Sequence, residues 1–104
     1  MIYEYRVYCV RQGEQGPIGE VVKKFMKAVE KQNVKGLGPF STLGGNEQEV
    51  SYILIWENWA HREKVWGSLG EDPDLLAILG PAAEHEAKDG PILFSQVGKF
   101  LLPM

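Results

Sequence analysis

Residues 49–57 read EVSYILIWE, the most apolar run in the chain. Its length suits a strand, and a strand sorts its side chains by period two. Ser51, Ile53 and Ile55 then face one way, while Val50, Tyr52, Leu54 and Trp56 face the other. Alternation is nearly lost, so both faces of the strand need cover.

Outward from this strand, GGNEQE before it is a turn or loop, and GLGPFSTLGG at 36–45 gives a short strand whose Pro39 favours a sheet edge. Upstream, Ile18, Val21, Val22, Phe25, Met26 and Val29 recur at helical spacing after Pro17, a residue suited to a first helical turn. The spacing predicts a helix that ends near Asn33 to Gly36, where a glycine suits a left-handed cap. The opening IYEYRVYCV at 2–10 is a strand with Tyr3, Tyr5, Val7 and Cys9 on one face and Ile2, Glu4, Arg6, Tyr8 and Val10 on the other. The first of these faces is the more apolar and is expected against the helices. Downstream, Asn58 caps a helix starting at Trp59, Asp72-Pro73 restarts it, and Gly80-Pro81 is expected to kink or break it again. ILFSQVGKFLL at 92–102 closes the chain as a strand.

The order is therefore β-α-β-β-α-β, which predicts an α+β ferredoxin-like sandwich: one domain, a four-stranded antiparallel sheet and helices on one face. A face carrying Tyr8, Tyr52, Leu54 and Trp56 is too apolar to leave open, so a second copy is expected to cover it. A chain of 104 residues buries about 65% of its unfolded surface without staples. Its net charge of −3 argues against a nucleic-acid footprint, and no apolar stretch has the length of a membrane span. Cys9 is the single cysteine, which fits a reducing compartment and a small buried hydrophobe; a cytoplasmic location is expected.

IYEYRVY, the strand leading into WENWAHRE, the DPD restart and the closing PILFSQVGKFLLPM resemble the NIPSNAP family along nearly the whole chain. The resemblance implies a homodimeric α/β barrel, two ferredoxin-like protomers packed sheet to sheet around a lumen. It also implies kinship with cofactor-free monooxygenases, isomerases, decarboxylases and polyketide cyclases. Two positions depart from the family. Tyr52, Leu54 and Trp56 stand where its third strand often has histidine, tryptophan and tyrosine, and Val97, Gly98 and Lys99 stand where Glu-Ser-Arg is frequent. A histidine-based site on that strand is absent.

Candidate chemistry centres on the first strand. Neighbours on one strand face lie about 7 Å apart, within reach of an ion pair between Glu4 and Arg6. Arg6 depresses the Glu4 pKa, which makes Glu4 a poor base, and itself suits a carboxylate, phenolate or enolate. Tyr8 offers a hydrogen bond beside it. Alternatively, the pair only fixes strand register at an interface. Tyr52, Leu54 and Trp56 read either as packing or as a wall for a flat apolar ligand in the lumen. His61, in the first turn of the second helix, is placed to reach the Glu4 end as proton donor or acceptor, or else is an exposed helix-start residue; His85 reads as solvated. The expected catalytic set is Arg6, Tyr8 and His61, with Glu4, Tyr52, Leu54 and Trp56 binding substrate. Two distant histidines and one cysteine give no metal-ligand spacing, and GLGPFS lacks a dinucleotide fingerprint, so neither metal nor cofactor is expected. A cofactor-free enzyme acting on a small aromatic or polyketide-like molecule and a non-catalytic dimeric module both remain open.

Overall fold

The computed structural model describes residues 1–89 and 93–104. Strand β1 spans Ile2–Val10, helix α1 Gln15–Val29, β2 Lys35–Ser41, β3 Glu49–Trp56, α2 Trp59–Ser68, α3 Pro73–Asp89 and β4 Leu93–Leu101. The four strands form one sheet in the order β2-β3-β1-β4, and every pairing is antiparallel. This is the ferredoxin-like arrangement, with the Pro39 strand at an edge as its missing N–H requires. No helix among the described residues is long and apolar enough to cross a membrane.

The caps follow the local chemistry. The Asn58 side chain accepts the His61 backbone N–H at 2.8 Å, and Asp72 accepts that of Asp74 at 3.0 Å. Lys31, just beyond α1, donates to both Asp72 and Asp74, at 2.9 and 3.0 Å, and ties the end of that helix to the start of α3. The left-handed residue after α1 is Asn33, at φ 63°, and Gly36 belongs to β2 instead. A Cβ on Gly36 would meet the flexible end of the Met26 side chain of α1 and lie 3.2 Å from the Ile53 carbonyl oxygen. Pro81 lies inside α3 without ending it. A proline removes one backbone donor, and the turns on either side keep their own bonds. The side chain of His85 and the proposed start of the last strand at residue 92 lie outside the described residues.

The principal correction concerns which face of the sheet meets the helices. Ile2 pairs with Trp56, Glu4 with Leu54, Arg6 with Tyr52 and Tyr8 with Val50, so these residues share one face. That face is the covered one: Ile2, Tyr52, Leu54 and Trp56 form the core with Val22 and Val29 of α1 and Val65 of α2. Cys9, with Tyr3, Tyr5 and Val7, therefore looks away from the helices and is only half-buried. Parity is all or none along a strand, so the bulky Tyr52-Leu54-Trp56 set carries Glu4 into the core with it. The expected lumen placement of Glu4, Arg6 and Tyr8 between two sheets is thereby overturned.

The open face remains apolar. Tyr3 pairs with Ile55 and Leu101, Tyr5 with Ile53, and Val7 with Val97. Leu37, Val97 and Leu101 are each about half exposed.

Candidate functional site

Glu4 is fully buried, at 0% exposure, and three donors converge on it. Its Oε1 accepts from Trp56 Nε1 at 2.9 Å and from Arg62 Nε at 2.9 Å, while Oε2 accepts from Arg6 Nη1 at 3.1 Å. Burial pushes the Glu4 carboxyl up, but the hydrogen bonds from Arg62 and Trp56 and the charges of Arg62 and Arg6 outweigh it, and the pKa is lowered. Glu4 is accordingly held ionised as a structural anion and is a poor proton acceptor.

The two arginine side chains are mostly buried, with exposures of 22% for Arg6 and 25% for Arg62. Arg62 lies over the rings of Trp66 and Phe100, at 5.4 and 5.0 Å, and Phe100 makes an edge contact with Trp59 at 4.8 Å. Arg6 reaches Gln96 Oε1 at 3.4 Å and lies 5.8 Å from the Tyr8 ring centre. Its Nε is buried with no hydrogen-bond partner among the described residues. Next to it on β4, Gly98 leaves the room that Arg6 occupies, since a Cβ there would lie 3.5 Å from Arg6 Cδ. That distance is ordinary contact, so Gly98→Ala is expected to change little. Gly98→Leu is expected to displace the Arg6 guanidinium and weaken its ion pair with Glu4. Crystal structures of the two variants, compared at Arg6, check this.

Beyond Arg6 the hydroxyls of Tyr8 and Tyr52 meet at 2.6 Å, with rings edge to face at 5.5 Å. Burial above all, and then Tyr8, raise the Tyr52 pKa, so that Tyr52 stays protonated across the physiological range. Both tyrosines line a partly enclosed cavity of about 140 Å³ beneath α1 and α2.

Glu4, Arg6, Tyr8, Tyr52 and Trp56 thus come together, whereas Leu54 is 1% exposed and packs in the core. His61 is set apart. Its Nδ1 accepts the Glu57 backbone N–H at 3.2 Å, which leaves Nε2–H to donate to the Gln32 carbonyl at 2.7 Å. It stacks edge-on against Trp56 and lines a separate polar groove of about 500 Å³ with Lys31, Asn58 and Lys64. Its neighbour Arg62, which sequence reasoning passed over, is the residue of α2 that reaches Glu4. Successive helix residues turn by about 100°, so a cap at Asn58 that points His61 toward the Gln32 carbonyl points Arg62 elsewhere. Phase relative to the sheet is invisible without the fold. No cluster of metal-ligating side chains occurs among the described residues.

Residues 3–104 match the NIPSNAP family model. The chain belongs to the NIPSNAP family. Solved structures agree with the fold. A NIPSNAP family protein from Agrobacterium tumefaciens superposes with a TM-score of 0.78 at 21% identity, covering 99% of this chain and 92% of that one. A second from the same organism, described as having unknown function, gives 0.75 at 20% identity, covering 99% and 87%. An uncharacterized NIPSNAP domain protein from Burkholderia xenovorans gives 0.72 at 20%, covering 100% and 95%. No curated protein matches the chain. At these identities the NIPSNAP relatives speak to the fold, and chemistry has to be argued from the side chains around Glu4.

Proposed function

We propose that this NIPSNAP protein is a homodimer that binds a small organic anion, aromatic or polyketide-like, beneath its helices, with Arg6 as the anchor. The observation that carries the reading is a charge count: among the described residues, two arginines with largely buried side chains share the single carboxylate of Glu4. An excess positive charge in a partly desolvated site favours an anion. The buried Arg6 Nε, which has no partner among the described residues, and the rings of Trp59, Trp66 and Phe100 around Arg62 support the same reading. The Tyr8–Tyr52 pair supplies hydroxyl groups within the same layer.

Of the enzyme and the non-catalytic module, the geometry favours binding. Three donors occupy Glu4, and both ring nitrogens of His61 are engaged with backbone, so neither is presented as a free base. Dimer formation through the open sheet face rests on Tyr3, Tyr5, Ile53, Ile55, Val97 and Leu101, an apolar surface that a second copy would cover.

Benzoate and its neutral counterpart benzamide test the anchor, with affinity followed by NMR titration. Benzoate is expected to bind more tightly than benzamide. Arg6→Lys keeps the charge and loses the planar fork, and is expected to weaken benzoate about 10- to 100-fold, the range for one or two charge-assisted hydrogen bonds. Equal affinities for benzoate and benzamide, or an unchanged benzoate affinity in Arg6→Lys with only the melting temperature lowered, would assign Arg6 to architecture.

A further inference from the structure

The cavity of about 140 Å³ beneath α1 is lined by residues other than the two arginines. Val21 and Phe25 of α1, Trp66 of α2 and Leu69 wall it, and Tyr8 and Tyr52 stand on the sheet side. Its size is close to that of the roughly 150 Å³ apolar cavities that admit one benzene ring. Among its described lining residues the polar side-chain atoms are the two tyrosine hydroxyls and the indole N–H of Trp66.

The direction of the short hydroxyl bond follows from burial. Tyr52 is 4% exposed, and the partner its hydroxyl has among the described residues is the Tyr8 oxygen at 2.6 Å. If Tyr8 donated to Tyr52, the Tyr52 proton would be buried without an acceptor, at a cost of about 1–3 kcal/mol. Donation therefore runs from Tyr52 to Tyr8. Tyr8, which is only half-buried, keeps its own proton to give, and accepting a bond from Tyr52 makes it a stronger donor.

We infer that this cavity is a subsite for a single uncharged ring bearing a carbonyl oxygen, with the Tyr8 hydroxyl donating to that oxygen and Tyr52 acting as a positioning residue behind it. Apolar walls take the ring, and a hydroxyl donor on the sheet side selects the oxygen. The subsite does not depend on an anion at Arg6.

Cyclohexanone and methylenecyclohexane, which differ in having or lacking the acceptor oxygen, are the probes. NMR titration gives the affinities, and the carbonyl ¹³C shift of bound cyclohexanone reports the hydrogen bond directly. The wild-type protein is expected to prefer cyclohexanone about tenfold or more, equivalent to one hydrogen bond of about 1.4 kcal/mol. In Tyr8→Phe the preference and the downfield carbonyl shift should vanish while methylenecyclohexane still binds. In Tyr52→Phe the shift should shrink without disappearing. Equal affinity of the wild type for the two probes, binding of neither, or a carbonyl shift that survives Tyr8→Phe would overturn the subsite. In the wild-type protein, equal affinities for benzoate and benzamide beside an intact cyclohexanone preference would overturn the anion site alone, which keeps the two results apart.

Discussion

Glu4→Leu will destabilise the protein by about 3–5 kcal/mol, the usual consequence of removing one partner from a buried ion network. The substitution leaves Arg6 and Arg62 facing each other across an apolar side chain, and strands the Trp56 N–H at 2.9 Å from an oxygen that no longer exists. Glu4→Gln keeps one acceptor and is expected to lose less. The triple replacement of Glu4, Arg6 and Arg62 by apolar residues should recover much of the loss, because it removes the stranded charges together. Urea denaturation across these variants is the measurement. A Glu4→Leu protein as stable as wild type would mean that water, and not the protein, balances the two guanidiniums.

The same network sets an acid limit. The Glu4 pKa is lowered in the folded state, so its contribution to stability is fully present above the ordinary glutamate value of about 4.3 and is lost as pH falls through the lower folded value. Stability that declines below about pH 5 should decline less steeply in Glu4→Gln.

Ile53→Glu is expected to convert a dimer into a folded monomer. Ile53 lies on the open face between Tyr5 and Leu37, outside the core, so a carboxylate there costs the protomer little. In a twofold interface it occurs twice and must be desolvated twice, which costs several kcal/mol and lowers association about a hundredfold or more. Sedimentation at micromolar concentration should give about twice the chain mass for wild type and the chain mass for the variant. A wild-type protein that sediments as a monomer would leave the open face without its partner and the proposed dimer without support.

Much of this was legible in the sequence. Apolar spacing from Ile18 to Val29, the unbroken run from Val50 to Trp56, the Asn58 and Asp72 caps and the edge position of Pro39 are local patterns, and backbone geometry turns each directly into an element. Their order is enough for the ferredoxin-like sheet. The pairing of Glu4 with Arg6 was also legible, because strand period alone puts them on one side at bridging distance.

Which side that was could not be read from β1. Each of its faces mixes aromatic and aliphatic residues, and the rule that charges avoid the core pointed Glu4 and Arg6 away from the helices. Tertiary structure reversed this by bringing two donors from distant parts of the chain, Trp56 and Arg62, onto the carboxylate that Arg6 already pairs, and a buried charge satisfied in this way is tolerated. The sequence alone thus determined the elements, their order and the composition of the two faces, because these depend on residues near one another along the chain. Only the tertiary structure decided which face the helices cover, and with it the place of Arg62 and the cavity at Tyr8, because that choice depends on whether distant side chains satisfy a buried charge.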